Sequence, residues 1–152
     1  AYLREALPRL SVLTEKVAGA HGASDPRLKE LAGVFAALRA ELEMHTLKEE
    51  KVLFPLCRQL DTAGERPAFH CGTVQNPIRV MIAEHEDAGE ALAEIRRLTG
   101  DFTAPATACN TYRAMLQALE ALESDLHLHI HKENNILFPR AVAAEACLQS
   151  SN

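Results

Sequence analysis

The stretch that decides the fold is His45-Thr-Leu-Lys-Glu-Glu-Lys-Val-Leu-Phe-Pro55, because the chain repeats it as His129-Ile-His-Lys-Glu-Asn-Asn-Ile-Leu-Phe-Pro139. His, Lys, Glu, Leu, Phe and Pro stand at the same offsets in both copies. Residues four apart lie on one face of a helix, so each copy directs one imidazole and one carboxylate to the same side. The repeat therefore predicts two equivalent helices with a His and a Glu on corresponding faces.

Each copy also carries an acid one helical turn before its His, Glu41 in the first copy and Asp125 in the second. A carboxylate at this spacing can accept a hydrogen bond from the imidazole and orient it as a metal ligand. We predict this orienting role for both acids. A solvated surface position is an equally good reading of the sequence.

The rest of the chain is predicted to be helical as well. Leu3, Leu7, Leu10, Leu13 and Val17 recur at steps of three and four, which is helical spacing. A mixture of Gly, Pro and polar residues from Asp61 to Thr73 reads as a loop. The four predicted helices run from Tyr2 to about Ala20, from Pro26 to about Leu60 with a kink at Pro55, from Asn76 to Gly100, and from Pro105 to about Ala144.

The repeat extends to the first and third of these helices. Residues 5–14 match residues 90–99 at an offset of 85, and the second halves of the repeat match at an offset of 84. The chain is therefore two similar helical hairpins, neither of which can bury its apolar face alone. We predict an all-α fold, an up-down-up-down four-helix bundle that forms a single domain over residues 1–152.

Composition excludes several classes of function. The net charge of −5 argues against nucleic acid as a partner, since phosphate binding needs a basic face. Apolar runs are short and interrupted by charges, so no membrane span is expected, and no signal peptide is visible. The four cysteines form no C-x-x-C pair and read as reduced thiols of a cytoplasmic protein.

The repeat selects the candidate metal ligands. His45 and Glu49 are equivalent to His129 and Glu133, and His85 lies on the third helix of the second hairpin. We predict that the two Glu bridge two metal ions and that the imidazoles occupy terminal positions. Imidazole with carboxylate favours iron, and two bridging Glu hold the ions close enough to share an oxo or hydroxo group. Zinc, which takes three or four ligands at one centre, fits less well.

Other readings of these histidines and acids compete. A single H-x-x-x-E is usually a solvated surface pair, and only the duplication argues against that here. The repeat partner of His85 would fall immediately before Ala1. His21 is a lower-ranked substitute for it, because a helix of about 20 residues separates the two positions by roughly 30 Å. Glu84, next to His85, points elsewhere on its helix; a role at a pocket mouth is one reading, but we expect a surface position. Three further histidines are not expected to be ligands: His70, His127 and His131.

At the level of motifs, the two H-x-x-x-E segments resemble those of hemerythrin-like di-iron proteins. The stretches at 13–22, 76–89 and 105–112 make the chain similar to one branch, the iron–sulfur cluster repair di-iron proteins. The resemblance covers essentially the whole chain. It implies a four-helix bundle, a non-haem di-iron centre and a bacterial cytoplasmic location. The implied iron ligands are His45, Glu49, His85, His129 and Glu133.

Two features of that branch are not found in this sequence. Its members usually carry a small N-terminal domain with a cysteine motif, and their first ligand His is expected just before Ala1. We therefore expect the chain to correspond to the hemerythrin-like domain of such a protein. What fills the position of that His is open.

Three functions follow from the resemblance. The first is recovery from nitrosative and oxidative stress by restoring damaged iron–sulfur clusters, through supply of iron or handling of nitric oxide, with iron–sulfur proteins as partners. The second is a hemerythrin-type carrier or sensor of O₂ or NO. The third is an enzyme that reduces NO or a peroxide, which is weakened by the lack of an electron-donor motif or nucleotide fingerprint.

Overall fold

The computed structural model describes residues 2–63 and 69–150, and within these ranges it contains helices and turns but no strand. The all-α four-helix class predicted from the sequence is confirmed. The second and fourth long helices are each interrupted by one π-helical turn, so that each counts as two α-helices. The α-helices are α1 (Tyr2–His21), α2 (Arg27–Lys48), α3 (Phe54–Thr62), α4 (Gln75–Leu98), α5 (Asn110–Lys132) and α6 (Phe138–Ser150).

The two π-helical turns, Glu49–Leu53 and Glu133–Leu137, fall at equivalent places in the repeat. The backbone N–H of Phe54 donates to the carbonyl oxygen of Glu49, and Phe138 donates to Glu133 in the same way. Each turn directly precedes the Phe-Pro of the motif. Proline lacks an N–H and its ring collides with the carbonyl four residues earlier, so a wider turn accommodates it without ending the helix. The expected irregularity at Pro55 therefore takes the form of a π-turn, repeated before Pro139.

Two predicted helix starts are wrong. The fourth helix was expected from Pro105 but begins at Asn110, because Pro105 opens a separate turn closed by a bond from Ala108 N to Pro105 O of 2.9 Å. The third was expected from an Asn76 cap but begins at Gln75. There the Thr73 hydroxyl oxygen accepts from the Gln75 N–H at 3.3 Å. Several polar residues near the start of a helix can each cap it, and the sequence alone does not show which of them does.

The first three predicted helices end within two residues of the expected positions, whereas the fourth was expected to end at about Ala144 and runs to Ser150. No Gly or Pro follows Ala144 to stop it. Asp25 caps α2, accepting a hydrogen bond from the Arg27 N–H at 3.2 Å. Gly100, at φ +57°, lies in the turn that follows α4. This left-handed conformation suits a residue without Cβ.

The chain divides into two compact units, and the first comprises residues 1–41 and 87–127. In this unit α1 meets α2 through Arg39 and Ser11 (Nη1 to Oγ, 2.8 Å). α4 meets α5 through Arg96, which donates to the buried Glu123 carboxylate at 3.0 Å. Its core is formed by aliphatic and aromatic side chains from all four helices, including Leu10, Phe35, Leu38, Ile95, Met115 and Leu119.

The second unit comprises residues 42–86 and 128–152. It holds both H-x-x-x-E segments, both π-turns, α3, α6 and the first half of α4. Its apolar core is the cluster of Leu53, Leu56, Leu60, Val74, Ile78, Met81, Phe138 and Ala141. The candidate ligands named above all belong to this unit, apart from His21. The single-domain organisation stays a prediction.

Among the described residues, none of the helices combines the length and apolar character needed to cross a membrane.

Candidate metal centre

The candidate centre is built where the two copies of the motif enter their π-turns. His45 and His129 lie in the last turn of α2 and α5, and Glu49 and Glu133 are the first residues of the π-turns that follow. One ligand atom from each of these four side chains lies within 4.8 Å of every other. The grouping expected from the repeat is thus present, although the role of its members as ligands stays a prediction.

The two histidine–glutamate pairs are cross-connected. His129 Nε2 lies 3.2 Å from Glu133 Oε1 and 3.5 Å from Glu49 Oε1. His45 Nε2 lies 3.4 Å from Glu49 Oε1. Glu49 Oε1 therefore faces an imidazole from each copy of the motif.

His85 joins the same cluster from α4. Its Nε2 lies 3.1 Å from Glu133 Oε2 and 3.3 Å from His45 Nε2. The His85 ring stacks on Phe138, with centroids 5.8 Å apart and an interplanar angle of 6°. This packing fixes the ring plane, so that the Nε2 edge faces the carboxylates.

Hydrogen bonds on the far side of two rings determine which nitrogens face the cluster unprotonated. His45 Nδ1 lies 2.9 Å from Glu84 Oε2, and an ionised carboxylate can only accept, so Nδ1 carries the hydrogen. His85 Nδ1 donates in the same way to Asn134 Oδ1 at 2.9 Å. In the neutral rings both Nε2 atoms then present lone pairs to each other. A cation beside them relieves that repulsion.

Three buried polar atoms in the cluster lack a hydrogen-bond partner: Glu49 Oε1, His129 Nε2 and Glu133 Oε2. Their ion-pair distances are at or beyond the long end of hydrogen-bond range. Buried polar atoms are normally satisfied, and leaving one unpaired costs about 1–3 kcal/mol. Three such atoms converging with two imidazole lone pairs form a donor set of nitrogen and oxygen that fits iron.

Without a metal, the cluster is strongly coupled electrostatically. Glu133 and Glu49 raise the pKa of His129 to about 10. Burial alone would raise the pKa of Glu49, but the neighbouring imidazoles of His129 and His45 outweigh it and hold that pKa well below its ordinary value. Burial likewise would lower the pKa of His45, but contacts with Glu49 and Glu84 raise it. Protons therefore occupy this site in the absence of cations, and a bound metal must displace them.

Glu84 is the site residue that sequence analysis missed. The expected surface position is wrong, because Glu84 pairs with both His45 and Lys48. Burial would raise the pKa of Glu84, but hydrogen bonds from Lys48 and His45 keep it low, so the group stays ionised. Its adjacency to His85 on α4 was the available signal. Successive residues of a helix point in different directions. Here the His85 side chain contacts Glu133 directly, whereas Glu84 contacts Nδ1 of His45, on the side of that ring that faces away from the cluster.

Other candidate residues lie elsewhere. His21, the lower-ranked ligand, belongs to the first unit, where its Nε2 lies 3.3 Å from Cys109 Sγ. Glu41 is exposed and Asp125 half-buried, and their role in orienting the imidazoles stays a prediction. The histidines at 70, 127 and 131 are exposed, as expected for residues that are not ligands. The position before Ala1 lies outside the described residues.

Comparison with known proteins gives a consistent result. The family model described as Hemerythrin HHE cation binding domain matches residues 1–141. The chain is 42% identical over 139 residues to the iron-sulfur cluster repair protein YtfE of Edwardsiella ictaluri (strain 93-146), covering 91% of this chain and 59% of the relative. It is 40% identical over 143 residues to the protein of the same name from Musicola paradisiaca (strain Ech703), covering 94% and 60%. The chain thus spans about 60% of the length of these curated relatives.

Proposed function

This chain belongs to the hemerythrin HHE cation-binding family, and from that premise we propose that it holds two iron ions in the second unit. The residues that would hold them are His45, Glu49, His85, His129 and Glu133. Glu49 and Glu133 would bridge the ions, together with an oxo or hydroxo group, and the imidazoles would be terminal ligands. The convergence of unpartnered buried Nε2 and Oε atoms is the observation that carries this proposal.

The chain's own residues have distinct tasks in this centre. Glu84 and Asn134 hold the Nδ1 hydrogens of His45 and His85, which keeps each Nε2 free to bind. Phe138 restrains the His85 ring, and the aliphatic core beside it excludes water from that flank. When bound, an iron pair supplies redox-active centres that small diatomic molecules can reach. Two carboxylates would offset part of the charge of two such cations.

The biological role proposed for this centre is repair of iron–sulfur clusters damaged by nitrosative or oxidative stress. Relatives at about 40% identity carry the name iron-sulfur cluster repair protein, which supports this reading. The chain would act by supplying iron to damaged iron–sulfur proteins or by handling nitric oxide. None of its four cysteines, all in the described part of the chain, forms a disulfide, as suits a reducing compartment, and we place the activity in the bacterial cytoplasm.

A second candidate function is reversible binding of O₂ or NO, as in a carrier or sensor. One observation favours it. The His129 side chain is 36% exposed while its Nε2 faces the carboxylates, so this side of the cluster is open to solvent. A small molecule could approach the centre here, whereas His45 and His85 are buried.

Iron analysis followed by a transfer assay separates these possibilities. The chain reconstituted anaerobically with ferrous iron should hold two iron ions. Mixed with an apo iron–sulfur protein and a source of inorganic sulfide, it should then restore cluster absorption. His70→Ala, at an exposed histidine, serves as the matched control and should behave as the parent chain.

Each contrary result has a defined meaning. Iron binding with a reversible spectral change on NO or O₂, but no cluster recovery, would favour the carrier or sensor. A chain that retains no more iron than its Glu49→Ala variant would overturn the metal centre itself.

A further inference from the structure

A second group of reactive side chains lies in the first unit, outside the candidate metal centre. His21 is the last residue of α1, and Cys109 directly precedes α5, which begins at Asn110. His21 Nε2 and Cys109 Sγ are 3.3 Å apart, although 88 positions separate them in the chain. A thiol and an imidazole within hydrogen-bond reach are the arrangement of an activated nucleophile and its base.

The surroundings of Cys109 favour the thiolate. The His21 imidazole is the main cause that lowers the pKa of this thiol, and the backbone N–H groups of Tyr112 and Thr111 add to it. Those N–H groups belong to the first turn of α5, whose unpaired donors and positive dipole end stabilise an anion. Cys109 is also exposed, so a reagent in solution can reach the sulfur.

His21 is held in place rather than free to rotate away. Its ring packs on Tyr112, with centroids 5.6 Å apart at 46°. Its carbonyl oxygen accepts from the Ser24 hydroxyl at 2.8 Å and from the Asp25 N–H at 2.9 Å. Asp25 forms an ion pair with Arg27 at 2.7 Å. Asp25 raises the pKa of Tyr112, and Arg27 lowers it. The backbone of His21 is therefore anchored, and its ring rests against Tyr112 near an ion pair of opposite charges.

We propose that Cys109, with His21 as its base, is a thiol-exchange site for small-molecule disulfides such as oxidised glutathione. His21 Nε2 takes the thiol proton, and the Cys109 thiolate attacks one sulfur of the disulfide. The bond between the two reagent sulfurs breaks as the bond from Cys109 forms. One reagent half stays as a mixed disulfide. The other leaves as a thiolate and takes the proton from His21, so that Cys109 is oxidised and the leaving sulfur reduced.

The other cysteines provide internal references for this reactivity. Burial raises the pKa of the half-buried Cys57 thiol, which opposes thiolate formation there. Cys147 is exposed like Cys109, so that access to solvent does not distinguish the two. Preferential reaction at Cys109 would therefore report the contribution of His21 and of the α5 N-terminus.

Mass spectrometry of the chain as purified, after timed exposure to oxidised glutathione at neutral pH, tests the proposal. Cys109 should carry the adduct first, and Cys109→Ser should abolish the fast phase while Cys147→Ser leaves it intact. His21→Gln should slow the Cys109 reaction roughly three- to tenfold at neutral pH. Losing the imidazole lowers the fraction of Cys109 present as thiolate by more than it raises the intrinsic nucleophilicity of that thiolate. It should also move the pH–rate midpoint upward.

His21→Phe, which keeps an aromatic ring against Tyr112, separates a chemical from a structural role. If it slows the reaction as His21→Gln does, with the helical circular dichroism unchanged, the imidazole acts as the base. Adduct distributed equally between Cys109 and Cys147, or a pH–rate profile that neither His21 variant moves, would overturn the proposal.

Discussion

The two copies of the H-x-x-x-E motif share their sequence pattern and their π-turn but differ in what stands behind the histidine. His45 is buried, and Glu84 holds its Nδ1 at 2.9 Å. His129 is one-third exposed, and its pKa is raised to about 10 by Glu133 and Glu49. The backbone conformation is thus the same in both copies, whereas the environment that orients the histidine ring differs. A motif repeated along the chain predicts where ligands lie, but α4 determines which of them is oriented by a charged partner.

The same divergence appears further along the repeat, at Asp61 and its counterpart Glu145. Asp61 is exposed, whereas Glu145 is 2% exposed and caps the start of α4. Its carboxylate accepts from the Thr73 hydroxyl at 2.5 Å and from the Val74 N–H at 3.3 Å. Equivalent acids therefore have different surroundings in the described part of the chain, because Thr73 and Val74, just before α4, donate hydrogen bonds to Glu145.

The largest effect is expected from the feature that the copies share, their glutamates. Glu49→Ala and Glu133→Ala should each weaken iron binding by more than the roughly 10- to 100-fold that supporting residues contribute, because in the proposed centre each glutamate would be a ligand of both ions. Chelator competition with metal analysis measures this, with His70→Ala as control. Full iron retention in either variant would show that the two copies do not form one bridged centre.

A smaller loss is expected from the feature that separates the copies, Glu84. Glu84→Ala should lower iron affinity about 10- to 100-fold by freeing the Nδ1 hydrogen of His45, with ligation otherwise intact. Glu86→Gln, at an exposed carboxylate on the same helix, is the matched control. The same chelator titration applies. Equal losses in the two variants would mean that net charge, and not orientation of His45, is responsible.

Glu145→Ala should reduce stability without removing iron ligands. Loss of the buried carboxylate leaves the Val74 N–H and Thr73 hydroxyl without this acceptor, at a cost of about 1–3 kcal/mol in the free energy of unfolding. Urea unfolding of the metal-free chain provides the measurement, and Asp61→Ala provides the comparison at the equivalent position. If the Asp61 variant loses as much, the asymmetry between these two acids has no energetic consequence.

The smallest effect is a pH dependence carried mainly by His129, in the second copy. The folded-state pKa of His129, about 10, lies above its ordinary value of 6.5. Its contribution to stability is therefore fully present below about pH 6.5 and is lost as the pH rises through about 10. Solvent screening at this partly exposed ring keeps the effect small. Urea unfolding of the metal-free chain across this window should show a decline that His129→Gln flattens and His70→Ala does not.

Much of this protein could be predicted from local pattern. Helical periodicity, the duplication and the spacing of His and Glu indicated the four helices and the grouping of His45, Glu49, His129 and Glu133. These features depend on residues within one or two turns of each other, where helix geometry is nearly invariant. The start of α5 was misplaced because Pro105 opens a turn as readily as a helix, and only the later bonds distinguish the two.

By itself, then, the amino-acid sequence determined the fold class and which residues carry nitrogen and oxygen donors on common faces. Tertiary structure alone decided that Glu84 supports His45, that Asn134 supports His85, that Glu145 caps α4 and that His21 meets Cys109. Each of these contacts joins side chains at least 39 positions apart in the chain. The rotation and axial position of a helix against its neighbours set such contacts. A shift of one residue turns a helical side chain by about 100°, too fine a change for periodicity to specify.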